Sequence, residues 1–123
     1  MQDIKPINIL EKLSLFTDHW SPKIVGELNG QQVKLAKLKG EFVWHKHDKE
    51  DELFFVINGI LKIEFRDKTV EIYPGEFIIV PRGIEHKPVA ISEEVCIMLF
   101  EPNTTLNTGD TLSELRVKQL DWI

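Results

Sequence analysis

Four residues of this chain have the types and spacing to do chemistry: His45, His47, Glu52 and His86. His45-Lys46-His47 lies in a run predicted to be a strand, where residues two apart share a face. Two imidazoles side by side on one face present a pair of nitrogen ligands. Glu52 opens the next predicted strand and can add an oxygen ligand across the turn. His86 follows Pro81-Arg82-Gly83, a bend that can carry its side chain back over the first pair. Three nitrogens and one oxygen suit a divalent transition metal, whether Mn, Fe, Co, Ni, Cu or Zn, and the set does not choose among them. Four protein ligands leave positions open on a six-coordinate ion, and open positions are where a substrate or dioxygen binds.

Other polar residues near this set are expected to do less. Asp48, Lys49, Glu50 and Asp51 read as a solvated turn. His19, in Thr17-Asp18-His19-Trp20, precedes the first strand and is expected at the surface or in packing. Trp44 alternates with the two histidines and should point away from them, into packing. Arg82 and Glu85 flank the second bend and are placed at the barrel rim. Cys96, the single cysteine, lies within Val95-Cys96-Ile97-Met98-Leu99-Phe100 and reads as a small buried hydrophobe.

The elements that must position these residues are mostly strands. Ile7 to Phe16 has apolar residues near helical spacing and allows a short helix. After Ser21-Pro22 the pattern changes. Asn29-Gly30 is a hairpin signal between Ile24–Leu28 and Gln32–Leu38. Strands follow at Phe42–His47, Glu52–Ile57, Ile60–Arg66, Thr69–Tyr73, Glu76–Val80, Glu85–Ile91 and Val95–Phe100, punctuated by Gly, Pro and Asn. So many short strands argue for a sandwich or barrel. Leu61 to Arg66 alternates apolar and charged, so one of its faces meets water. Leu53–Ile57 and Phe77–Val80 are apolar on both faces and call for cover on both, which favours a homodimer. Beyond Thr104, Thr111-Leu112-Ser113-Glu114 has the spacing of a capping box and predicts a helical turn, with Trp122 and Ile123 packing back on the body.

The two segments that carry the candidate ligands resemble the two motifs of the cupin superfamily. Gly40-Glu41-Phe42-Val43-Trp44-His45-Lys46-His47, then Glu52 after four residues and Gly59 after six more, is similar to the first. Gly75-Glu76-Phe77-Ile78-Ile79-Val80-Pro81-Arg82-Gly83-Ile84-Glu85-His86 is similar to the second. The chain departs from the pattern twice. Four residues rather than five separate Gly40 from His45, and Ala90 stands where Asn is common. The resemblance implies an all-β jelly-roll barrel (a double-stranded β-helix) with short non-barrel segments at both ends. It implies one domain over 1–123, with the barrel core at about 24–101, and His45, His47, Glu52 and His86 as metal ligands. It is nearest to the small cupins described as mannose-6-phosphate-isomerase-like, a label of shared motifs rather than of that activity.

Composition narrows the function classes. The chain has 123 residues, 42% hydrophobic and 28% charged, an ordinary folded composition. A net charge of -5 without a basic block argues against nucleic acid. No apolar run approaches a membrane span, and Met1 to Pro6 lacks the basic start of a signal sequence, so a cytoplasmic protein is expected. Fold does not choose chemistry. The expectation is a metal-dependent enzyme acting on a small polar metabolite. Its alternatives are a non-catalytic module that binds a metal or metabolite, and an interaction domain whose metal site is vestigial.

Overall fold

The structure is a computed structural model that describes residues 3–123; Met1 and Gln2, part of the segment read for a signal sequence, lie outside them. A five-residue helix, α1 (Ile9–Leu13), precedes β1 (Lys23–Leu28) and β2 (Gln31–Leu38). Then come β3 (Glu52–Asn58), β4 (Leu61–Phe65), β5 (Thr69–Ile72), β6 (Phe77–Val80), β7 (His86–Ala90) and β8 (Val95–Pro102). They form two antiparallel sheets, one of five strands in the order β1-β2-β8-β3-β6 and one of three in the order β5-β4-β7. This is a jelly-roll barrel, as the strand rhythm and the resemblance implied. The first hairpin turns at Asn29 and Gly30, whose φ angles of 52° and 77° are both positive, as a two-residue hairpin loop requires.

The core lies between the sheets. Alternate residues of β3 (Phe54, Val56), β4 (Leu61, Ile63) and β8 (Val95, Ile97, Leu99) point inward and pack together. Each such side chain is worth roughly 1.5–3 kcal/mol relative to leaving it in water. The same alternation, continued towards one end of the barrel, puts Glu52 on the inward row of β3 and Glu101 on that of β8. A smaller cluster sits on the outer face of the five-stranded sheet, where Leu13 and Phe16 cover Leu35 and Cys96. The helix thus covers one half of that face. The other half is open: on edge strand β6, Phe77 is 60% and Ile79 55% exposed.

Two local expectations are corrected. Phe42 to His47 is not a continuous strand; it touches β7 through two isolated bridges, Glu41 to Val89 and His45 to His86. The cause lies in β7. Phe42 N–H donates to the Pro88 carbonyl, so Pro88 turns its backbone towards this segment, and a proline has no N–H to return. The ladder is interrupted between its two bridges. The tail makes turns instead of a helical turn at Thr111. The Thr111 hydroxyl, which a capping box would need, donates to the Trp44 carbonyl. Ile123 does pack on the second cluster and its N–H donates to the Ile24 carbonyl, but Trp122 remains 53% exposed.

Candidate metal centre

His45, His47, Glu52 and His86 come together at one end of the barrel interior, all four buried, with one potential ligand atom from each within 4.8 Å of the others. Three separate devices place them. The bridge between His45 and His86 exchanges two backbone hydrogen bonds of 3.0 and 2.9 Å and brings one histidine of each motif face to face. His47 is tied to the Pro81–Gly83 turn, whose Gly83 N–H donates to its carbonyl at 2.8 Å. Glu52 arrives as the first inward residue of β3.

The segment carrying His45 and His47 is also held from outside. Asp110 and Lys46 hydrogen-bond reciprocally, the Asp110 N–H to the Lys46 carbonyl at 3.0 Å and the Lys46 N–H to Asp110 Oδ1 at 3.1 Å. Gly109 lies so close that a Cβ there would come within 2.2 Å of the Lys46 oxygen. The residues after β8 therefore strap the two histidines in place where the broken ladder leaves them underheld.

Ring orientation follows from backbone acceptors. His45 Nδ1 lies 2.8 Å from the Val43 carbonyl and His86 Nδ1 2.9 Å from the Ile84 carbonyl. A carbonyl only accepts, so each Nδ1 carries a proton, which leaves Nε2 as the nitrogen free to offer a lone pair. On His86 that lone pair finds no donor. His86 Nε2, both ring nitrogens of His47 and Glu52 Oε1 are buried without a hydrogen-bond partner. Glu52 Oε1 stands 3.3 Å from His47 Nε2 and 3.4 Å from His86 Nε2. Two atoms each about 2.1 Å from one ion, at the angles of tetrahedral or octahedral sites, are themselves about 3.0–3.4 Å apart. The residues present fit a divalent cation.

The electrostatics of His45 and Glu52 point the same way. Burial, followed by the neighbouring His86, pushes the His45 pKa down to about 4, so the ring is neutral at pH 7, as a ligand must be. Burial also disfavours the His47 cation, but the Glu52 carboxylate 3.3 Å away outweighs it and raises that pKa. Glu52 is held well below the usual carboxylate range: burial opposes this, and His47 and His86 beside it prevail.

The other residues singled out from sequence lie apart from this cluster. Asp48 and Asp51 are exposed, Asp51 bonding the Arg82 N–H at 2.9 Å, and Glu50 accepts from the Thr104 hydroxyl. His19 pairs with Glu94 at 2.7 Å near the surface. Trp44 stacks under the Arg66 guanidinium at 3.8 Å, and Arg66 in turn pairs with Glu85. Neither Arg82 nor Glu85 lines the cavity beside the cluster. Cys96 is buried, with burial raising its thiol pKa.

That cavity, about 40 Å³, reaches His45 and Glu52 and is lined mainly by apolar side chains, among them Trp20, Phe42 and Phe54. It also meets Glu101, which the sequence reading did not single out. Lys34 and Glu101 are 1% and 2% exposed and form an ion pair of 2.8 Å inside the barrel. Burial and the adjacent Glu52 charge push the Glu101 pKa well up. A signal for this pair existed. Val95, Ile97, Leu99 and Glu101 continue one period-two row, as do Gln32, Lys34, Ala36 and Leu38.

Comparison with known proteins agrees with this fold. Residues 31–100 match the model of the cupin domain. The chain belongs to that family. Among solved structures, it is similar to a cupin-2 domain protein from Shewanella frigidimarina, at 49% identity and a TM-score of 0.77, over 79% of this chain and 94% of that one. It also resembles protein NMB1881 from Neisseria meningitidis, at 29% identity and a TM-score of 0.73, covering 80% of this cupin and all of the other. The uncharacterized protein YdbB from Bacillus subtilis shares 39% identity over 64 residues, 51% of this chain and 57% of that protein. The chain spans little more than half the length of the curated relatives it matches. No helix among the described residues is long and apolar enough to cross a membrane.

Proposed function

We propose that this cupin holds one divalent transition metal, Mn, Fe, Co, Ni, Cu or Zn, through His45, His47, Glu52 and His86, and acts on a small metabolite bound beside it. The observation that carries this reading is the set of buried, partnerless atoms that face one another: His47 Nε2, His86 Nε2 and Glu52 Oε1. Burying such atoms unsatisfied is costly, and a cation satisfies them all at once. When bound, the metal supplies Lewis-acid chemistry, or redox chemistry if it is iron. The protein's own part is to keep His45 neutral and to fix the His45 and His86 rings through Val43 and Ile84.

An enzyme and a binding module differ in turnover alone. Substrate loss or oxygen uptake across a metabolite panel, abolished in His86→Ala, is the expected result. Saturable binding by the metal-loaded protein with no turnover of anything bound would establish the binding module instead. We further propose that the chain pairs with a second copy through the open half of the outer sheet face, where Phe77 and Ile79 stand beside Phe55 and Leu53 in register. Light scattering should give twice the chain mass, reduced to the chain mass by Ile79→Glu; a monomeric native protein would refute the pairing.

A further inference from the structure

Apart from the candidate ligands His45 and Glu52, the cavity beside the cluster has one polar atom that no donor reaches, and the rest of its wall says what ligand suits it. Glu101 Oε1 is taken by Lys34 Nζ, whereas the buried Oε2 receives no N–H or O–H from another residue, the carboxyl interacting otherwise only with Glu52. Asn107, another polar residue of the lining, is already spent: its amide donates to the Trp20 and Leu115 carbonyls and accepts from the Val117 N–H. The register that sets Leu53 opposite Phe100 makes Glu52 and Glu101 cross-strand neighbours, so the free oxygen belongs to the residue beside a candidate ligand.

The remaining wall is apolar. Trp20 and Phe42 stack with centroids 4.6 Å apart at 18°, and Leu38, Phe54 and Leu99 complete the surface that matters here. Trp20 holds a φ of 59°, an uncommon conformation for a bulky side chain. It is fixed there by hydrogen bonds to the Lys37 and Lys39 carbonyls. No Lys or Arg lines the cavity. A phosphate or carboxylate would find no guanidinium or ammonium of the kind that holds such groups. About 40 Å³ leaves room for roughly three waters, hence for a compound of few carbons.

We propose that the cavity selects a small uncharged compound with an apolar body and a hydroxyl next to a second oxygen, of the α-hydroxyketone or vicinal-diol class. The hydroxyl meets Glu101 Oε2, the second oxygen faces the His45–Glu52 end, and the carbon body lies against Trp20 and Phe42. A hydroxyl both donates and accepts, so it satisfies that oxygen whether or not Glu101 carries a proton. The second anchor rests on the metal reading above; the first does not.

The test is an NMR titration of the full chain, zinc-loaded and metal-free, with acetoin, with lactate as a size-matched anion, and with glycerol 3-phosphate. For the zinc-loaded protein, acetoin should shift the Trp20 indole resonance saturably and bind roughly tenfold tighter than either anion. The paired substitution Lys34→Met with Glu101→Leu, which leaves no buried charge behind, should weaken acetoin roughly tenfold, the scale of one lost hydrogen bond, with zinc content unchanged. If that variant does not fold, Glu101→Gln replaces it, with a loss of roughly threefold. Zinc uptake without acetoin binding, tighter binding of either anion, or equal acetoin binding by the folded variant would overturn the proposal. Failure to take up zinc would sink the metal reading, and the metal-free titration then decides this one: acetoin must still shift Trp20 and weaken in the variant.

Discussion

The four-residue cluster and the Lys34–Glu101 pair share one barrel interior but treat burial in opposite ways. In the pair, a cation meets an anion at 2.8 Å and one carboxylate oxygen remains over. In the cluster, Glu52 approaches two imidazoles only to 3.3 and 3.4 Å, outside the usual range of an N–H···O bond, and the facing atoms stay unpartnered. Apart from that oxygen, the pair is satisfied within the chain. The cluster leaves its facing atoms open, at a spacing that fits the metal proposed above.

The sharpest way to break this contrast is to remove one member of each group and measure metal affinity by competition with a chromophoric chelator. His47→Ala should lower affinity by more than the roughly 10–100-fold typical of outer hydrogen-bond partners, and Glu101→Gln by no more than about tenfold. Equal losses would erase the distinction.

Stability should respond the other way round. Glu101→Ala strands a buried ammonium and should cost roughly 3–5 kcal/mol in denaturant unfolding, whereas Lys34→Met with Glu101→Leu should be near neutral. A mild Glu101→Ala effect would mean that Lys34 finds another partner or reaches water.

Acid adds a third contrast, in the metal-free protein. The folded-state pKa of His45, about 4 against 6.5 for the free side chain, means that the unfolded chain binds the extra proton. Stability should therefore fall as pH drops from about 6.5 to 4, by up to about 3 kcal/mol. His47, with its pKa raised, contributes stability below 6.5 that is lost as pH rises through its folded value. Glu52, with its pKa lowered, contributes stability that is lost only as pH falls below 4.5, whereas Glu101, with its pKa raised, costs stability as pH rises above 4.5. In metal-free protein His45→Asn should flatten the loss of stability between pH 6.5 and 4 relative to the native chain; an unchanged acid limb would mean that His45 is not held neutral by burial.

The smallest expected effect lies in the strap. Gly109→Ala forces a Cβ against the Lys46 carbonyl at a backbone φ of 55°, and should cost roughly 1–3 kcal/mol with weaker metal binding. Lost stability with metal affinity intact would show that the strap does not position the histidines.

These contrasts also mark how far the sequence could be read. His45, His47, Glu52 and His86 were legible because a period-two strand, a turn and two spaced motifs announce inward polar residues. The helix at Ile9–Leu13 and the Asn29-Gly30 hairpin were legible from local chemistry. Lys34 and Glu101 were not singled out, since the last strand was ended at Phe100, one residue before Glu101, and a lysine in an alternating strand ordinarily faces water. The broken strand at Phe42–His47 depends on the side to which Pro88 turns its backbone, a property of pairing and not of either segment. The tail's turns depend on Trp44 claiming the Thr111 hydroxyl from 67 residues away.

The most direct test of the metal reading is elemental analysis of untagged protein, followed by titration of chelator-stripped protein with zinc. The prediction is a near-stoichiometric transition metal as purified, restored after stripping, and lost in His86→Ala protein that remains folded. Untagged protein that contains no metal and takes up none would contradict it.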